Sequence, residues 1–205
     1  MKCYKWLTKD MRSKNGDNCS WKLGEWKQAE KEKIELCKYG FHASETPLQS
    51  LEYIYGDRWF VAKAQGKIIK DEDKFAAERM RIVKELPVKK ILISFATLCA
   101  ERCLKNFEKE YPKDKRPRQA IEAAKAYLKN PCKRTKSASR SAARNAARNA
   151  ARNAARNAAW SAAWSAAWSA ERSAESAAWS AAWSAAWRAE RRWQEKKLKE
   201  LVEKS

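Results

Sequence analysis

The amino-acid sequence predicts an α+β protein that consists of a small mixed N-terminal domain, a helical hairpin and one long alanine-rich α-helix built on a four-residue repeat. Three observations predict this order. Short aromatic and aliphatic runs alternate with turn residues as far as residue 88, apolar residues then recur at helical spacing, and the region after residue 132 contains neither glycine nor proline. We therefore expect three domains, which comprise residues 1–88, 89–132 and 133–205.

The first domain contains two segments that are typical of half-buried strands, Cys3–Leu7 and Arg58–Ala62, because both are rich in aromatic and aliphatic residues. Between them, Thr46 followed by Pro47 is the pattern of a helix N-cap with proline at the first helical position. The apolar residues behind this pair fall at helical spacing. We therefore expect a short helix from Pro47 to Tyr55 that packs on the strands.

The end of the first domain is less regular. Apolar and polar residues alternate from Glu78 to Pro87, which predicts another strand. The preceding segment, Phe75–Glu78, is compatible with either a strand or a helix.

Two amphipathic helices are expected in the second domain. The first follows Pro87 and ends before Pro112, and the second begins at Arg116 and ends before Pro131. Their apolar stripes comprise Ile91, Leu92, Phe95, Ala96, Cys99, Cys103, Leu104 and Phe107 in the first helix, and Ala120, Ile121, Ala124, Tyr127 and Leu128 in the second. The short linker favours an antiparallel hairpin with both stripes inside.

The third domain is dominated by alanine, the best helix former, and is predicted to be a single uninterrupted helix. A bulky residue recurs every four positions, so the bulky stripe drifts by roughly 40° per repeat around the helix. The bulky positions are first Arg140, Arg144, Arg148, Arg152 and Arg156, and then Trp160, Trp164, Trp168, Trp179, Trp183 and Trp187, with Trp193 nearby.

The tryptophan half of this helix predicts protein association. Each tryptophan can bury about 150–250 Å² in a partner, and alanine between the tryptophans lets another backbone approach closely. We expect self-association, packing with another helical protein, or folding back onto the hairpin. A helix lying on a membrane surface is a weaker alternative, because the polar and apolar faces are not segregated along a fixed stripe.

The arginine half indicates a second alternative. The chain carries 45 Lys and Arg against 25 Asp and Glu, a formal net charge of +20, which favours anionic partners. Arginines at successive turns can meet the phosphates of a nucleic acid without reading its sequence. The other interpretation is a solvated basic face that keeps an alanine-rich helix in solution.

Several classes of protein are disfavoured by what the sequence lacks. The six cysteines form no CxxC pair, and the nearest approach to a metal-ligand group, Cys19, Cys37 and His42, has no recognisable metal-binding spacing. We therefore expect no metal site and no cofactor. No apolar run is long enough for a signal peptide or a membrane span, which predicts a cytoplasmic protein.

Two segments resemble known families. The run from Cys37 to Ala43, Cys-Lys-Tyr-Gly-Phe-His-Ala, resembles an uncharacterised family of small bacterial and phage proteins with a C-x-x-G-F-H-A signature. The segment from Leu92 through Cys99 and Cys103 to Ala124 resembles the helical module of bacterial immunity-type proteins, which also continue into alanine-rich helices. Neither family brings an assigned active site, so these resemblances imply a phage, prophage or toxin context rather than a mechanism.

The order strand, Gly40–Ser44 turn, helix and strand also loosely resembles the NAD-binding fold of ADP-ribosyltransferases. In that family a His or Tyr near the first strands and a later Glu hold the nicotinamide and ribose. The resemblance implies Tyr4, His42, Ser44 and Glu78 as candidate residues. The alternative is that Gly40–Ser44 is only a tight turn that leads into a helix.

Taken together, the sequence predicts a non-catalytic binding or assembly protein of phage or bacterial-conflict, immunity-like type, which associates through its tryptophan-rich helix. Sequence-independent nucleic-acid binding by the arginine segment and an NAD-using N-terminal domain remain as alternatives.

Overall fold

The α+β class is confirmed by a computed structural model of the chain. The structure describes residues 1–14, 19–53, 56–132, 134–135, 137–142 and 173–205, with side chains in the last range described from residue 187 onward. The chain divides into two compact units. One comprises Met1–Leu92 together with Trp193–Ser205, and the other comprises Ile93–Arg192.

The first unit is built on an antiparallel sheet. A long hairpin of two strands forms its centre, a third strand pairs with one side of this hairpin, and two short strands pair with the other side. In chain order the strands are β1 (Lys2–Leu7), β2 (Lys27–Gln28), β3 (Phe41–Ala43), β4 (Arg58–Lys70) and β5 (Phe75–Leu86).

The sheet curls until its two sides meet. The backbone N–H of Tyr4 in β1 donates to the carbonyl of Ser44, which directly follows β3, at 2.8 Å, and the N–H of Ser44 donates back to Tyr4 at 3.1 Å. The curled sheet encloses a hydrophobic core that includes Cys3, Leu7, Trp21, Phe41, Phe60, Phe75, Met80 and Ile82. The backbone groups of β1 that face away from β4 are thereby partly paired, which limits the exposure of an open sheet edge.

The helix expected after Thr46 is present but short. Helix α1 (Pro47–Ser50) continues as a 3-10 turn over Leu51–Tyr53. The hydroxyl of Thr46 accepts from the N–H of Gln49 at 3.2 Å, and the Gln49 side-chain oxygen accepts from the N–H of Thr46 at 3.0 Å. This reciprocal pair confirms the predicted N-cap.

Two local predictions in the first unit differ from the structure. The segment Phe75–Glu78 belongs to strand β5, so its helical alternative is wrong, and most of Gly40–Ser44 forms strand β3 rather than only a turn. Both segments pair with each other through the register of Phe41 with Ala77 and of Ala43 with Phe75. The start of β5 also pairs with the end of β4 in the hairpin, as Phe75 lies opposite Lys70, whereas β3 pairs with a segment more than thirty residues away. Local propensity is a weak determinant of such strands.

The second unit contains the expected helical hairpin. Helices α2 (Val88–Glu110) and α3 (Arg116–Lys129) are antiparallel, as shown by ion pairs from Arg118 to Glu108 and from Lys125 to Glu101. Leu104 and Ile121 are buried as predicted. Cys103 is exposed, so its expected place inside the hairpin is wrong.

The long C-terminal helix is described in parts. Residues 137–142 are helical, and helix α4 covers Ser173–Glu203. The rest of the predicted continuous helix, from 143 to 172, lies outside the described residues. Within the part of the chain that the structure describes, none of the helices combines the length and apolarity that crossing a membrane requires.

The end of α4 belongs to the same unit as the sheet. Leu198 is fully buried and Val202 is 3% exposed. Burial raises the pKa of Tyr4 to about 12, and the carboxylates of Glu203 and Glu195 contribute to this rise, so this end of the helix lies near β1. The packing of this helix end within the first unit was not predicted from the sequence, although Leu198 and Val202 have the four-residue spacing of a buried helix face.

Replacing Leu198 with Ala should destabilise the first unit by about 2–5 kcal/mol, because it opens a cavity beside the sheet. We expect faster amide hydrogen exchange in β1 and a lower midpoint of chemical unfolding, whereas Lys199→Ala, at an exposed neighbouring position, should change neither. Unchanged exchange in β1 of the Leu198→Ala variant would show that the sheet does not depend on this helix.

Candidate functional site

The first unit contains a cavity of about 370 Å³, within the range of roughly 300–1,000 Å³ that is usual for small-ligand sites. Its lining includes residues of β1, of β3, of the turn that precedes β3, and Lys74 at the end of the loop that joins β4 to β5. Its described wall contains no Asp or Glu. The basic residues that line it are Lys5, Lys14, Lys38, Lys74 and His42.

His42 holds the turn before β3 together. Its Nε2 accepts a hydrogen bond from the backbone N–H of Cys37 at 2.8 Å, and its ring also bonds the backbone of Gly40. Burial lowers the pKa of His42, and the nearby Lys5 and Lys74 lower it further. The imidazole is therefore neutral near pH 7, and both of its nitrogens are occupied by the backbone of its own turn.

The Gly-Phe-His-Ala run has a structural explanation. Gly40 has φ of 109°, and a Cβ there would lie 3.2 Å from the Ile34 side chain, so only glycine fits without strain. Phe41 and Ala43 are buried in the core, whereas the ring of His42 lies against the turn that precedes β3. The motif therefore encodes a tight turn followed by a strand.

Two lysines of the cavity wall, Lys5 and Lys74, act electrostatically on His42. Lys5 is buried, its Nζ donates to the carbonyl of His42 at 2.8 Å, and it lies 5.1 Å from the ring centroid of Trp21. Lys74 lies 5.1 Å from the ring centroid of Tyr53. Hydrogen bonds with Tyr53 and Cys37 raise the pKa of Lys74, so it stays protonated.

The residues implied by the ADP-ribosyltransferase resemblance are only partly brought together. Tyr4, His42 and Ser44 line the cavity, whereas Glu78 does not. The Glu78 carboxylate lies beside Gly66 in β4 and accepts from the N–H of Lys67 at 2.9 Å, where it supports a bulge in the hairpin. The arrangement therefore gives Glu78 a structural position outside the cavity.

Ser44 is one of the buried serines in this wall. It is 3% exposed, and its backbone is used in the bridge to Tyr4. Its hydroxyl makes no hydrogen bond to another described residue, and its oxygen is not among the fully buried described atoms that lack a partner, so it is reached from the cavity.

The described residues contain no group of three His, Cys, Asp or Glu that could hold a metal ion. The metal interpretation of Cys19, Cys37 and His42 meets a further obstacle, because the His42 nitrogens are already bonded. The cysteines described are free thiols, and burial raises the pKa of Cys3 to about 12, which keeps it protonated.

A second candidate surface lies on α4. Trp187 is 59% exposed, which is unusual for a tryptophan, and the Arg191 guanidinium lies 5.6 Å from its ring centroid. On the same helix, Glu190 pairs with Arg102 of α2 at 2.6 Å. Trp187 is therefore presented on a helix that is tied to the hairpin.

The other predicted association and anion-binding residues are less fully described. Trp193 is half-buried in the first unit, and Arg140 is exposed in the helical segment 137–142. Trp179 and Trp183 lie in α4, but their side chains are outside the described residues. Also outside the described residues are Trp160, Trp164, Trp168, Arg144, Arg148, Arg152 and Arg156.

The fold and these sites define a two-part α+β protein, in which a curled sheet domain with an enclosed basic cavity is joined to a helical module with an exposed tryptophan. Residues 84–201 match the family described as Imm-5 like putative immunity protein, and the chain belongs to this family. Residues 1–94, which include the Gly-Phe-His-Ala run of this chain, match the family described as Domain of unknown function (DUF7666). No curated protein and no solved structure matches the chain. The expected immunity-like character is thereby confirmed.

His42 is the only histidine in the chain, so its titration can be followed without ambiguity by NMR. We expect its midpoint below the ordinary value of 6.5. Because the unfolded chain then binds this proton more readily than the folded one, stability should fall as the pH falls through this range. Lys74→Met should raise the midpoint and Lys63→Met, outside the cavity, should not; a wild-type midpoint at or above 6.5 would contradict the described environment.

Proposed function

We propose that this protein is a non-catalytic binding protein of immunity type that assembles with further copies of itself through the tryptophan face of its C-terminal helix. The exposed position of Trp187 on α4 is the observation that carries the proposal. An aromatic side chain of this size gains more free energy from burial in a partner than almost any other residue. The immunity-like family of the helical module supports a role in binding.

The sequence of α4 extends this surface along the helix. Trp179 and Trp183 precede Trp187 at four-residue spacing, and each step turns the stripe by only about 40°. Alanine occupies most positions between the tryptophans, so two such helices can approach closely. A second copy of the same helix offers a surface of matching shape and size.

The charge of the chain makes the proposal sharply testable. Two copies of a protein with net charge +20 repel each other, and salt screens this repulsion. Association through tryptophan should therefore persist or strengthen as the salt concentration rises. Nucleic-acid binding by the arginine segment would weaken steeply under the same change.

We expect light scattering coupled to size exclusion, after nuclease treatment, to show a defined oligomer at both low and high salt. Co-purified nucleic acid with a protein that becomes monomeric in high salt would instead support the arginine segment. A monomer at both salt concentrations would rule out self-assembly through α4.

Replacing Trp164, Trp168, Trp179 and Trp183 with Ala should lower the mass of the oligomer measured by light scattering, because each change removes up to about 250 Å² of apolar contact. The control variant replaces Ser165, Ser169, Ser180 and Ser184 with Ala, which changes the position after each of these tryptophans and keeps every tryptophan. Circular dichroism should show that both variants stay folded. An unchanged mass in the tryptophan variant would refute the proposal.

A further inference from the structure

We propose that the cavity of the first unit binds a phosphate group, either as free phosphate or as the phosphate of a nucleoside monophosphate. This site is independent of assembly through α4, and its residues all lie in the first unit.

The charge of the cavity wall is the first argument. Four lysines line it and no carboxylate does, so the described wall has an excess of positive charge inside a partly enclosed space. The ammonium groups of Lys5 and Lys74 both lie close enough to His42 to act on it electrostatically. Lysine is a common point-charge ligand of phosphate, and the low dielectric of an enclosed site strengthens the attraction. Lys38 is less available, because it pairs with Glu35 at 2.6 Å.

The second argument is the hydroxyl of Ser44. The Ser44 side chain is buried, lines the cavity and makes no hydrogen bond within the described chain. Its O–H can donate to an anionic oxygen without breaking any bond of the protein, because the bridge to Tyr4 uses only the backbone. The Ser44 oxygen is not among the fully buried described atoms that lack a partner, so it is accessible from the cavity and a ligand oxygen can take the place of water there.

The number and size of the groups favour phosphate over a carboxylate. A phosphate presents three acceptor oxygens, which suits two lysines and a hydroxyl, whereas a carboxylate presents two. The cavity, at about 370 Å³, also has room for the rest of an ester, and its wall includes the rings of Tyr39 and Tyr53. Aromatic rings of this kind can stack on a nucleobase.

Isothermal titration calorimetry on the full, nuclease-treated chain tests the proposal with three probes at constant ionic strength: inorganic phosphate, adenosine 5′-monophosphate and adenosine. We expect saturable binding of both phosphates and none of adenosine. Tighter binding of the monophosphate would identify an ester as the source of the phosphate group, and equal affinities would identify free phosphate.

Ser44→Ala should weaken the binding of the phosphate probes about tenfold through loss of one charge-assisted hydrogen bond, with thermal stability unchanged. Lys74→Met should weaken it at least as much. Lys63→Met removes the same charge from an exposed position outside the cavity and should leave binding as in the wild type. This control separates the cavity from non-specific attraction to a basic chain.

Two results would overturn the proposal. One is the absence of binding by both phosphate probes in the wild type. The other is binding that Ser44→Ala and Lys74→Met leave unchanged, since this would place the anion elsewhere on the chain. Neither result depends on the oligomeric state, so failure of assembly through α4 and failure of this site are distinguishable.

Discussion

The two backbone hydrogen bonds between Tyr4 and Ser44 hold strand β1 against the end of β3, and the architecture of the first unit depends on this closure. It brings Lys5 within hydrogen-bond distance of the His42 carbonyl and places Ser44 in the cavity wall. An open sheet with the same strands would leave these groups in solvent. The cavity thus exists because the sheet is curved. The closed sheet excludes water from one side of the cavity, which strengthens the electrostatic effect of its lysines.

His42 is of a residue type that often acts in catalysis, but here its ring stabilises the backbone of a turn. A lone histidine beside a serine and a tyrosine invites a catalytic interpretation, yet both ring nitrogens are bonded within the Cys37–Gly40 turn. The Cys37–Gly40 turn thereby fixes the position at which β3 begins. Burial lowers the pKa of the imidazole, and the charges of Lys5 and Lys74 lower it further, so the ring is kept neutral.

Features that depend on neighbouring residues were predictable from the sequence, and features that depend on distant pairing were not. The capping box at Thr46 and the two helices of the hairpin are encoded within a few residues, and they were placed almost correctly. Strand β3 is short and forms by pairing with the start of β5, more than thirty residues away, which no local pattern reports. Of the residues in the cavity wall, Tyr4, His42 and Ser44 were named through the resemblance to ADP-ribosyltransferases, whereas Lys5 and Lys74 were not named, because only the closed sheet brings them together.

The burial of Leu198 at the end of α4 has a consequence for the helix as a whole. Trp187 and Leu198 are eleven residues apart, almost three complete turns, so they lie within about 20° of each other around the helix axis. One side of α4 is therefore covered by the chain's own sheet domain at Leu198 and open to solvent at Trp187. The last turns of α4 therefore stabilise the first unit and cannot serve a partner, so the helix surface that α4 can offer for binding is shorter than the helix itself.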